Sequence, residues 1–331
     1  MNKINVSLKC KMVVKRFFVR HPKLHKKLYF IYKILTDFDG REHPISKDKE
    51  GKIYYIIRPR TNCIEGLLAL FIAVMKEMDY ALRSGYIPVV DMKNYKTQYS
   101  NGIDNVWEWY FTQPSGVKLE DAYSSNSAVL SGYHWKEKLD ERLFSDQIFK
   151  DQEYKIKSHR LMFENISFSS VINERVKKEM ESIPIESCIG VYLRGTDYVR
   201  LKPVGENIQP TVDDVIEKIN EFQMKHEKTK IFLVTEDNKI YTRIKEKFQN
   251  DLYITSFDSF ISNYNGTDFL SRSNVFEKDM RSVGEDYLVK MVLLSKCKFL
   301  VSSITCGSRV AYVFNGNKYT DEYIFDLGKY E

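Results

Sequence analysis

The sequence is poor in cysteine, and its apolar runs are short. Five cysteines are scattered over 331 residues, and no two form a CxxC pair. The odd count and wide spacing argue against a disulfide framework or a zinc site and favour a reducing compartment. No stretch approaches ~20 uncharged apolar residues, so no transmembrane helix is predicted. Charges interrupt the N-terminal segment before the apolar part of a signal peptide can form. We therefore expect a cytoplasmic protein.

Several motifs that would identify a reaction are also missing. GxxxxGK[ST] and GxGxxG are both absent, which disfavours a P-loop kinase and an NAD-dependent dehydrogenase. The sequence contains no HExxH, no GxSxG and no DxD motif at a predicted strand end. Nothing indicates a metal-bound nucleotide, so we expect no metal site and no cofactor.

Acidic residues are absent from residues 1–35, which carry ten lysines and arginines. The rest of the chain has 41 basic and 45 acidic residues, a net charge of −4. Apolar side chains interleave with the cations of this leader: Phe17, Phe18, Leu28, Tyr29, Phe30 and Tyr32. Such a basic amphipathic segment can lie on the anionic inner face of a membrane, or pack on the body with its basic face solvated. Charge alone also permits nucleic-acid binding, a partner that we do not expect.

Strand and helix patterns alternate in two parts of the chain. A strand at 52–60, a helix at 62–83 and a strand at 86–92 predict a βαβ unit. Residues 94–185 combine an aromatic loop with broken helical periodicity. Beyond residue 187, strands are predicted at 189–193, 230–235, 252–257, 298–303 and 322–327, and helices at 212–225, 236–248, 284–297 and 307–316.

This alternation is typical of parallel, doubly wound sheets. We therefore expect an α/β fold with two Rossmann-like doubly wound domains that face a cleft. The predicted division is a basic amphipathic leader at 1–35, an N-terminal domain at 36–186 and a C-terminal domain at 187–331.

Polar residues follow three predicted strands of the C-terminal part: "LRGTDY" (193–198), "TEDN" (235–238) and "SSITCGSR" (302–309). The carboxyl ends of parallel strands meet at one edge of a sheet, where ligands bind. Arg194 offers a planar fork for phosphate oxygens, and the small-residue turn 303–308 precedes a helix whose first amides favour an anion. Together they predict a diphosphate site. The structural alternative is that Arg194 pairs with Asp197 and the turn merely begins a helix.

The order "GVYLRGTDY", "IFLVTEDN" and "LLSKCKFLVSSITCGSRVAY" resembles the three-motif core shared by eukaryotic core α1,6-fucosyltransferases and rhizobial nodulation fucosyltransferases. More closely, it resembles bacterial "RGTDY…KP" relatives of that superfamily. The resemblance covers 187–327 and extends weakly to 62–71 and 107–114. It implies a GT-B architecture, with an acceptor domain at 36–186 and a donor-nucleotide domain at 187–331. It also implies a GDP-sugar donor, GDP-fucose first, inversion at the anomeric carbon and no obligatory metal.

By this resemblance, Arg194 corresponds to the arginine that holds the donor diphosphate, and Asp197 to the acid of the same motif. The donor-binding residues it implies, together with those of the strand ends, are Tyr192, Arg194, Glu236, Asp237, Ser303, Thr305, Cys306, Gly307, Ser308 and Arg309. Three positions depart from the family pattern. Gly195 replaces a second arginine, Tyr192 a histidine that contacts guanine, and Lys290 an aspartate that recognises guanine.

Inversion requires a base for the acceptor proton and groups that stabilise the departing diphosphate. Arg194 and the 303–308 turn would stabilise the diphosphate. Glu206 is the candidate base by its neighbourhood, with Asp197 as the alternative. The aromatic loop offers flat faces on which an acceptor sugar could stack, or the same rings fill the core: Trp107, Trp109 and Tyr110.

We expect a metal-independent, inverting fucosyltransferase. Its acceptor would be a glycan or lipid-linked glycan of a surface polysaccharide or glycoconjugate. The alternative is a catalytically silent nucleotide- or glycan-binding protein on the same fold.

Overall fold

The computed structural model describes residues 51–59, 65–132, 139–227, 229–264, 269–270 and 278–331. Between residues 17 and 44 it describes only single residues and short pairs. Most of the predicted leader, including Tyr29, Phe30 and Tyr32, lies outside the described residues.

The first sheet contains four strands: β1 (His43–Pro44), β2 (Tyr54–Ile57), β3 (Ile87–Val90) and β4 (Ala128–Leu130). Their order is β1-β4-β2-β3, with β1 antiparallel to β4 and the other pairs parallel. Helix α1 (Leu67–Arg83) connects β2 to β3 and buries apolar residues at helical spacing, among them Leu70, Phe71, Val74 and Met78. The predicted βαβ unit is confirmed.

Three helices follow before the second sheet: α2 (Leu119–Ser124), α3 (Gln152–Phe163) and α4 (Ser170–Met180). Single turns of 3₁₀-helix lie at Val106–Trp109 and Asp146–Phe149. The first of these turns forms the centre of the predicted aromatic loop.

The second sheet has five parallel strands: β5 (Ile189–Tyr192), β6 (Ile231–Val234), β7 (Leu252–Tyr253), β8 (Phe299–Ser303) and β9 (Asp321–Phe325). Their order is β7-β6-β5-β8-β9. This is the doubly wound arrangement that the alternating pattern predicts. The strand predicted at 252–257 is much shorter, since β7 ends at Tyr253 on the edge of the sheet.

Among the described residues of this half there are five helices: α5 (Thr196–Leu201), α6 (Val212–Lys225), α7 (Asn238–Phe248), α8 (Met280–Lys296) and α9 (Cys306–Asn315). The buried residues of α6 and α7 share an apolar cluster with β5, β6 and β8, and those of α8 and α9 belong to a second, larger cluster. Helix α4 packs on α8, and α3 packs on α9. The sequence assigns α3 and α4 to the N-terminal domain, and the predicted domain boundaries stay a prediction.

A buried aromatic cluster joins the two halves. Phe71 of α1 lies 6.3 Å from Trp107 and 5.8 Å from Phe314 of α9, measured between ring centres. Phe111 and Phe144 complete the contacts of Phe71, at 4.9 and 5.6 Å. One apolar core therefore connects the two sheets.

Candidate functional site

The strand order of the second sheet reverses between β5 and β8. In open α/β sheets, ligands bind at such a switch point, in the crevice outside the carboxyl ends of the strands. Here β5 leads into Arg194, and β8 leads into the first residues of α9. Strand β6, with its own polar end, lies on the other side of β5. The three polar segments predicted from the sequence are thus adjacent at one edge.

Arg194 lies among carboxylates just before α5. Its Nη2 donates to Oδ1 of Asp197 at 2.6 Å, and its Nε lies 3.4 Å from Oε1 of Glu236 without a hydrogen bond to any described residue. Burial opposes the charge of the guanidinium, but Glu236 and Asp197 outweigh burial and raise its pKa well above the ordinary value. The salt bridge of the structural alternative is therefore present, and it fixes a permanent cation at the ligand edge.

Asp197 is buried, and both oxygens of its carboxylate accept hydrogen bonds from nearby donors. They are Nη2 of Arg194, Oγ1 of Thr196 and the amides of Tyr198 and Leu270, at distances of 2.6 to 3.3 Å. A carboxylate whose two oxygens are occupied in this way is poorly placed to take a proton from a substrate. The geometry favours a positioning role for Asp197 and leaves Glu206 as the better candidate base.

The acids after β6 hold the turn that carries Arg194. Oε1 of Glu236 accepts from the Gly195 amide at 3.0 Å and from Oγ1 of Thr196 at 2.8 Å. Oδ2 of Asp237 accepts from the Thr196 amide at 3.1 Å, while its Oδ1 caps α7. Burial raises the pKa of Glu236, and the charge of Arg194 opposes this shift. The acids of β6 thus fix the end of β5.

Helix α9 begins with a capping box at the switch point. Oγ1 of Thr305 accepts from the Ser308 amide at 3.3 Å, and Oγ of Ser308 accepts from the Thr305 amide at 2.8 Å. The hydroxyls of both residues are therefore used by the helix itself. The amides of Cys306 and Gly307 lie in the first turn, where backbone amides have no intrahelical acceptor and the helix dipole is positive. Oγ of Ser303 is buried and finds no partner among the described residues.

Two tyrosines pack under the start of α9. The hydroxyls of Tyr192 and Tyr287 lie 2.9 Å apart, and a Cβ at Gly307 would lie 2.6 Å from the first and 2.5 Å from the second. Glycine is therefore required at position 307. Tyr192 is buried beneath the turn, and no local pattern indicates its partner Tyr287.

The Cys306 thiol at the start of α9 lies 3.8 Å from Nη1 of Arg309, and the charge of Glu206 also acts on it. Burial raises the pKa of the Cys306 thiol, the charge of Arg309 opposes this, and the charge of Glu206 adds to it. Nε of Arg309 donates to Oδ1 of Asp146 at 2.6 Å, and Lys329 Nζ lies 3.6 Å from the second Asp146 oxygen. The predicted Arg309 thus has an acidic partner in the first half of the chain.

A cavity of about 370 Å³ separates the two halves at this point. One wall contains Arg58, which follows β2, and Met92, which follows β3. The opposite wall contains Cys306 and Arg309 of α9. The carboxyl ends of strands from both sheets therefore border one crevice. A second cavity of about 240 Å³ lies beside Arg194, between the first residues of α6 and α7.

The side chains that line the cavity between the halves include equal numbers of positive and negative groups. Its lining residues include four cations and four acids: Arg58, Lys76, Arg309, Lys329, Glu65, Glu77, Glu141 and Asp146. Several of them pair with one another, such as Lys76 with Glu141 at 2.7 Å. Such a wall offers many donors and acceptors with no net charge.

The aromatic loop does not present all of its rings to a ligand. Trp107 is 2% exposed and Tyr110 0% exposed, so a sugar cannot stack on either ring, and the expectation that they bind an acceptor is corrected. Gly284 of α8 packs against the Tyr110 hydroxyl, and Trp107 packs against Phe71 of α1 and Phe111. Trp109 is partly exposed and lies 5.0 Å from the Arg281 guanidinium.

Lys290, one of the departures from the family pattern, forms an ion pair with Oδ1 of Asp258. Both side chains are largely buried, with 13% and 2% of their surfaces exposed. Lys290 therefore neutralises an acid of the 255–258 turn.

Neither a metal cluster nor a membrane span is found in the part of the chain that the structure describes. There, no group of three or more His, Cys, Asp or Glu side chains is arranged to hold a metal ion. No described helix combines the length and the apolar character needed to cross a bilayer.

Comparisons with known proteins identify the fold. No family model matches the sequence, and no curated protein matches it. The fucosyltransferase NodZ from Bradyrhizobium is similar in structure, with a TM-score of 0.50 and 15% identity over 79% of this chain and 93% of its own. POFUT1 in its apo form is similar with a TM-score of 0.50 and 9% identity, over 84% of this chain and 99% of its own. The predicted α/β fold of the GT-B type is thereby confirmed.

Proposed function

We propose that this protein is a glycosyltransferase that moves a sugar, fucose, from a GDP-sugar to a hydroxyl of a glycan acceptor, with inversion. The observation that carries the proposal is that Arg194 and the start of α9 follow the adjacent strands β5 and β8, at the switch point of the second sheet. A guanidinium and helix N-terminal amides together form a site for a diphosphate. The fold similarity to a fucosyltransferase adds support.

In the proposed reaction, the acceptor oxygen forms a bond to the anomeric carbon as the bond to the diphosphate oxygen breaks. The electron pair of the broken bond leaves with the diphosphate, whose growing charge is stabilised by Arg194 and the amides of Cys306 and Gly307. Glu206 takes the proton of the acceptor hydroxyl. No metal is required in this scheme, because cationic and dipolar groups of the protein already face the diphosphate.

The acceptor is proposed to bind in the 370 Å³ cavity between the halves. Its balanced charges suit a neutral, hydroxyl-rich ligand, as a glycan or lipid-linked glycan of a surface polysaccharide or glycoconjugate would be. The cavity also adjoins Arg309 and Cys306, close to Glu206. Trp109 stays a candidate for the outer part of this site.

The leader is proposed to hold the enzyme on the anionic inner face of a membrane, in the cytoplasm. Leu24, Leu28 and Ile31 have 42 to 51% of their surfaces exposed, and their spacing of four and three residues places them on one side of a helix. Phe17, 48% exposed, belongs to a preceding helical segment, because His21 between them is not helical. The described residues of this region are helical at all four positions. An exposed apolar stripe with interleaved lysines and arginines is typical of helices that lie on anionic lipid.

The proposal is tested by thermal shift followed by turnover. GDP should raise Tm because it binds only the folded state, while UDP, CMP and dTDP should raise it less. GDP-fucose should then be consumed when a glycan acceptor is present. A larger shift with UDP than with GDP would overturn the donor assignment. GDP binding without turnover on any acceptor would instead support the catalytically silent binding protein.

A further inference from the structure

The segment after β9 lies along the loop that carries Glu206. We name residues Gly328–Tyr330 the strap and residues 202–210 the Glu206 loop. The Gly205 amide donates to the Tyr330 carbonyl at 2.8 Å, and the Tyr330 amide donates to the Glu206 carbonyl at 2.9 Å. The Ile208 amide donates to the Gly328 carbonyl at 2.9 Å, and Asn207 pairs with Lys329 in an antiparallel bridge.

The Glu206 loop has little regular structure of its own. It contains two prolines, Pro203 and Pro210, and two residues with positive φ, Lys202 and Gly205. The interstrand hydrogen bonds of Gly205, Glu206 and Ile208 all lead to the strap. The backbone on both sides of the candidate base is therefore held by a segment that lies more than a hundred residues away in sequence.

The strap is in turn anchored to the opposite wall of the crevice. Nζ of Lys329 lies 3.6 Å from Oδ2 of Asp146, whose other oxygen accepts from Arg309. Lys150, at the end of the same 3₁₀ turn, pairs with Asp326 at 2.8 Å. The segment from Asp326 to Tyr330 thus connects the Glu206 loop with the turn that positions Arg309.

We infer that the strap is a positioning element that fixes the backbone on both sides of Glu206 and thereby the place of its carboxylate. This inference rests on the proposed function, because it concerns the base of the proposed reaction. A base must lie within hydrogen-bond distance of the proton it takes, and a displacement of about 1 Å at such a group can cost a hundredfold in rate. Loosening the strap should therefore lower kcat with little effect on donor binding.

The test uses Tyr330→Pro with Tyr330→Ala as its matched control. Both variants lose the phenol, but only proline removes the amide that donates to the Glu206 carbonyl. We expect Tyr330→Pro to lower kcat at least tenfold relative to Tyr330→Ala, with KM for the donor within threefold. We also expect faster amide exchange in the peptide that covers residues 202–211, measured by mass spectrometry.

A second pair of variants separates an effect on the Glu206 loop from a general folding defect. Gly328 and Gly102 both have φ of +83°, and neither has an atom within 4 Å of a Cβ built on it. Gly328→Ala and Gly102→Ala therefore impose the same backbone strain at the strap and at a remote loop. Only Gly328→Ala should lower kcat and speed exchange in the Glu206 loop.

The outcomes separate the strap from the proposed function. Equal rates of amide exchange in the Glu206 loop of Tyr330→Pro and Tyr330→Ala would overturn the inferred role of the strap, whatever the activity of the two variants. Equal kcat for the two variants of an active enzyme would also overturn it. A third outcome is that exchange is faster in Tyr330→Pro than in Tyr330→Ala while the wild-type protein consumes no GDP-sugar. That result would support the coupling between the strap and the Glu206 loop and would count against the proposed reaction.

Discussion

The carboxylate of Asp237 occupies the space that a side chain at Gly195 would need. A Cβ built on Gly195 would lie 2.5 Å from Oδ2 and 2.6 Å from Cβ of Asp237. Asp237 cannot easily retreat, because the same carboxylate caps α7 and accepts from the Thr196 amide. The second arginine of the resembled family therefore has no room here, and its absence follows from the packing of β6 against the end of β5.

The alternation of strands and helices after residue 187 could be predicted because each element has a local pattern. Buried strands are continuous apolar runs, and Thr211 begins α6 with a capping box that can be recognised from the sequence. The polar ends of β5, β6 and β8 could be placed at one edge, because parallel strands share their direction. Helix α5 was missed because it has only six residues and follows Gly195 directly.

The burial of the aromatic loop could not be predicted from local sequence. Trp107 and Tyr110 have the composition of a sugar-stacking surface, and only their contacts with the distant helices α1 and α8 determine that they are covered. The pairing of Arg309 with Asp146 and that of the Glu206 loop with the strap also join residues far apart in sequence. Contacts of this kind depend on the tertiary fold and have no local signal.

Gly195→Ala should destabilise the fold. The methyl group would overlap Asp237, and overpacking of this kind typically costs about 1–3 kcal/mol of unfolding free energy. Gly66→Ala is the matched control, because Gly66 also precedes a helix and has no atom within 4 Å of a built Cβ. Thermal melts should show a Tm several degrees lower for Gly195→Ala than for Gly66→Ala. Equal melting temperatures would mean that Asp237 moves aside at no cost.

Turnover should survive chelation of divalent cations. In the proposed site, Arg194 and the first amides of α9 would oppose the charge of the diphosphate, so EDTA should leave the rate of GDP-fucose consumption within twofold. A parallel sample with EDTA and excess Mg²⁺ controls for effects of the chelator itself. A rate that falls with EDTA and returns with Mg²⁺ or Mn²⁺ would contradict metal independence.

The double variant Leu24→Glu/Leu28→Glu should bind anionic vesicles at least tenfold more weakly than the wild type, as measured by co-sedimentation. Both side chains belong to the exposed apolar stripe of the leader, at 42% and 45% exposure. A glutamate on this stripe loses apolar contact with lipid and adds charge of the wrong sign.

Met224→Glu serves as the control for this double variant, since Met224 is 77% exposed on α6, outside the leader. It should bind vesicles as the wild type does. Turnover on a soluble acceptor should be the same for all three proteins. If the double variant also binds vesicles normally, the leader is a packing element, as the other interpretation of its charge holds.

Arg194→Lys should cripple catalysis although it conserves charge. Nη2 of the guanidinium contacts Asp197 at 2.6 Å, and Nε lies 3.4 Å from Glu236. These two contacts fix the orientation of the planar group at the ligand edge. Lysine offers a single ammonium group that cannot occupy both places and still bridge two diphosphate oxygens. Charge grows on the diphosphate as the sugar departs, so the loss should fall on kcat more than on KM.

The expected loss is about 3–4 kcal/mol, a hundredfold or more in kcat, as is typical when one preorganised donor is removed. Folding should change less, because Asp197 keeps the amides of Tyr198 and Leu270 as donors. Arg200→Lys is the control, since Arg200 lies on α5, the helix that follows Arg194, and contacts the Tyr264 carbonyl. Steady-state kinetics and melting curves of both variants separate the possibilities. A near-native kcat for Arg194→Lys, or an activity loss that merely parallels its loss of folded protein, would make Arg194 a structural residue, and the diphosphate would then have to bind elsewhere.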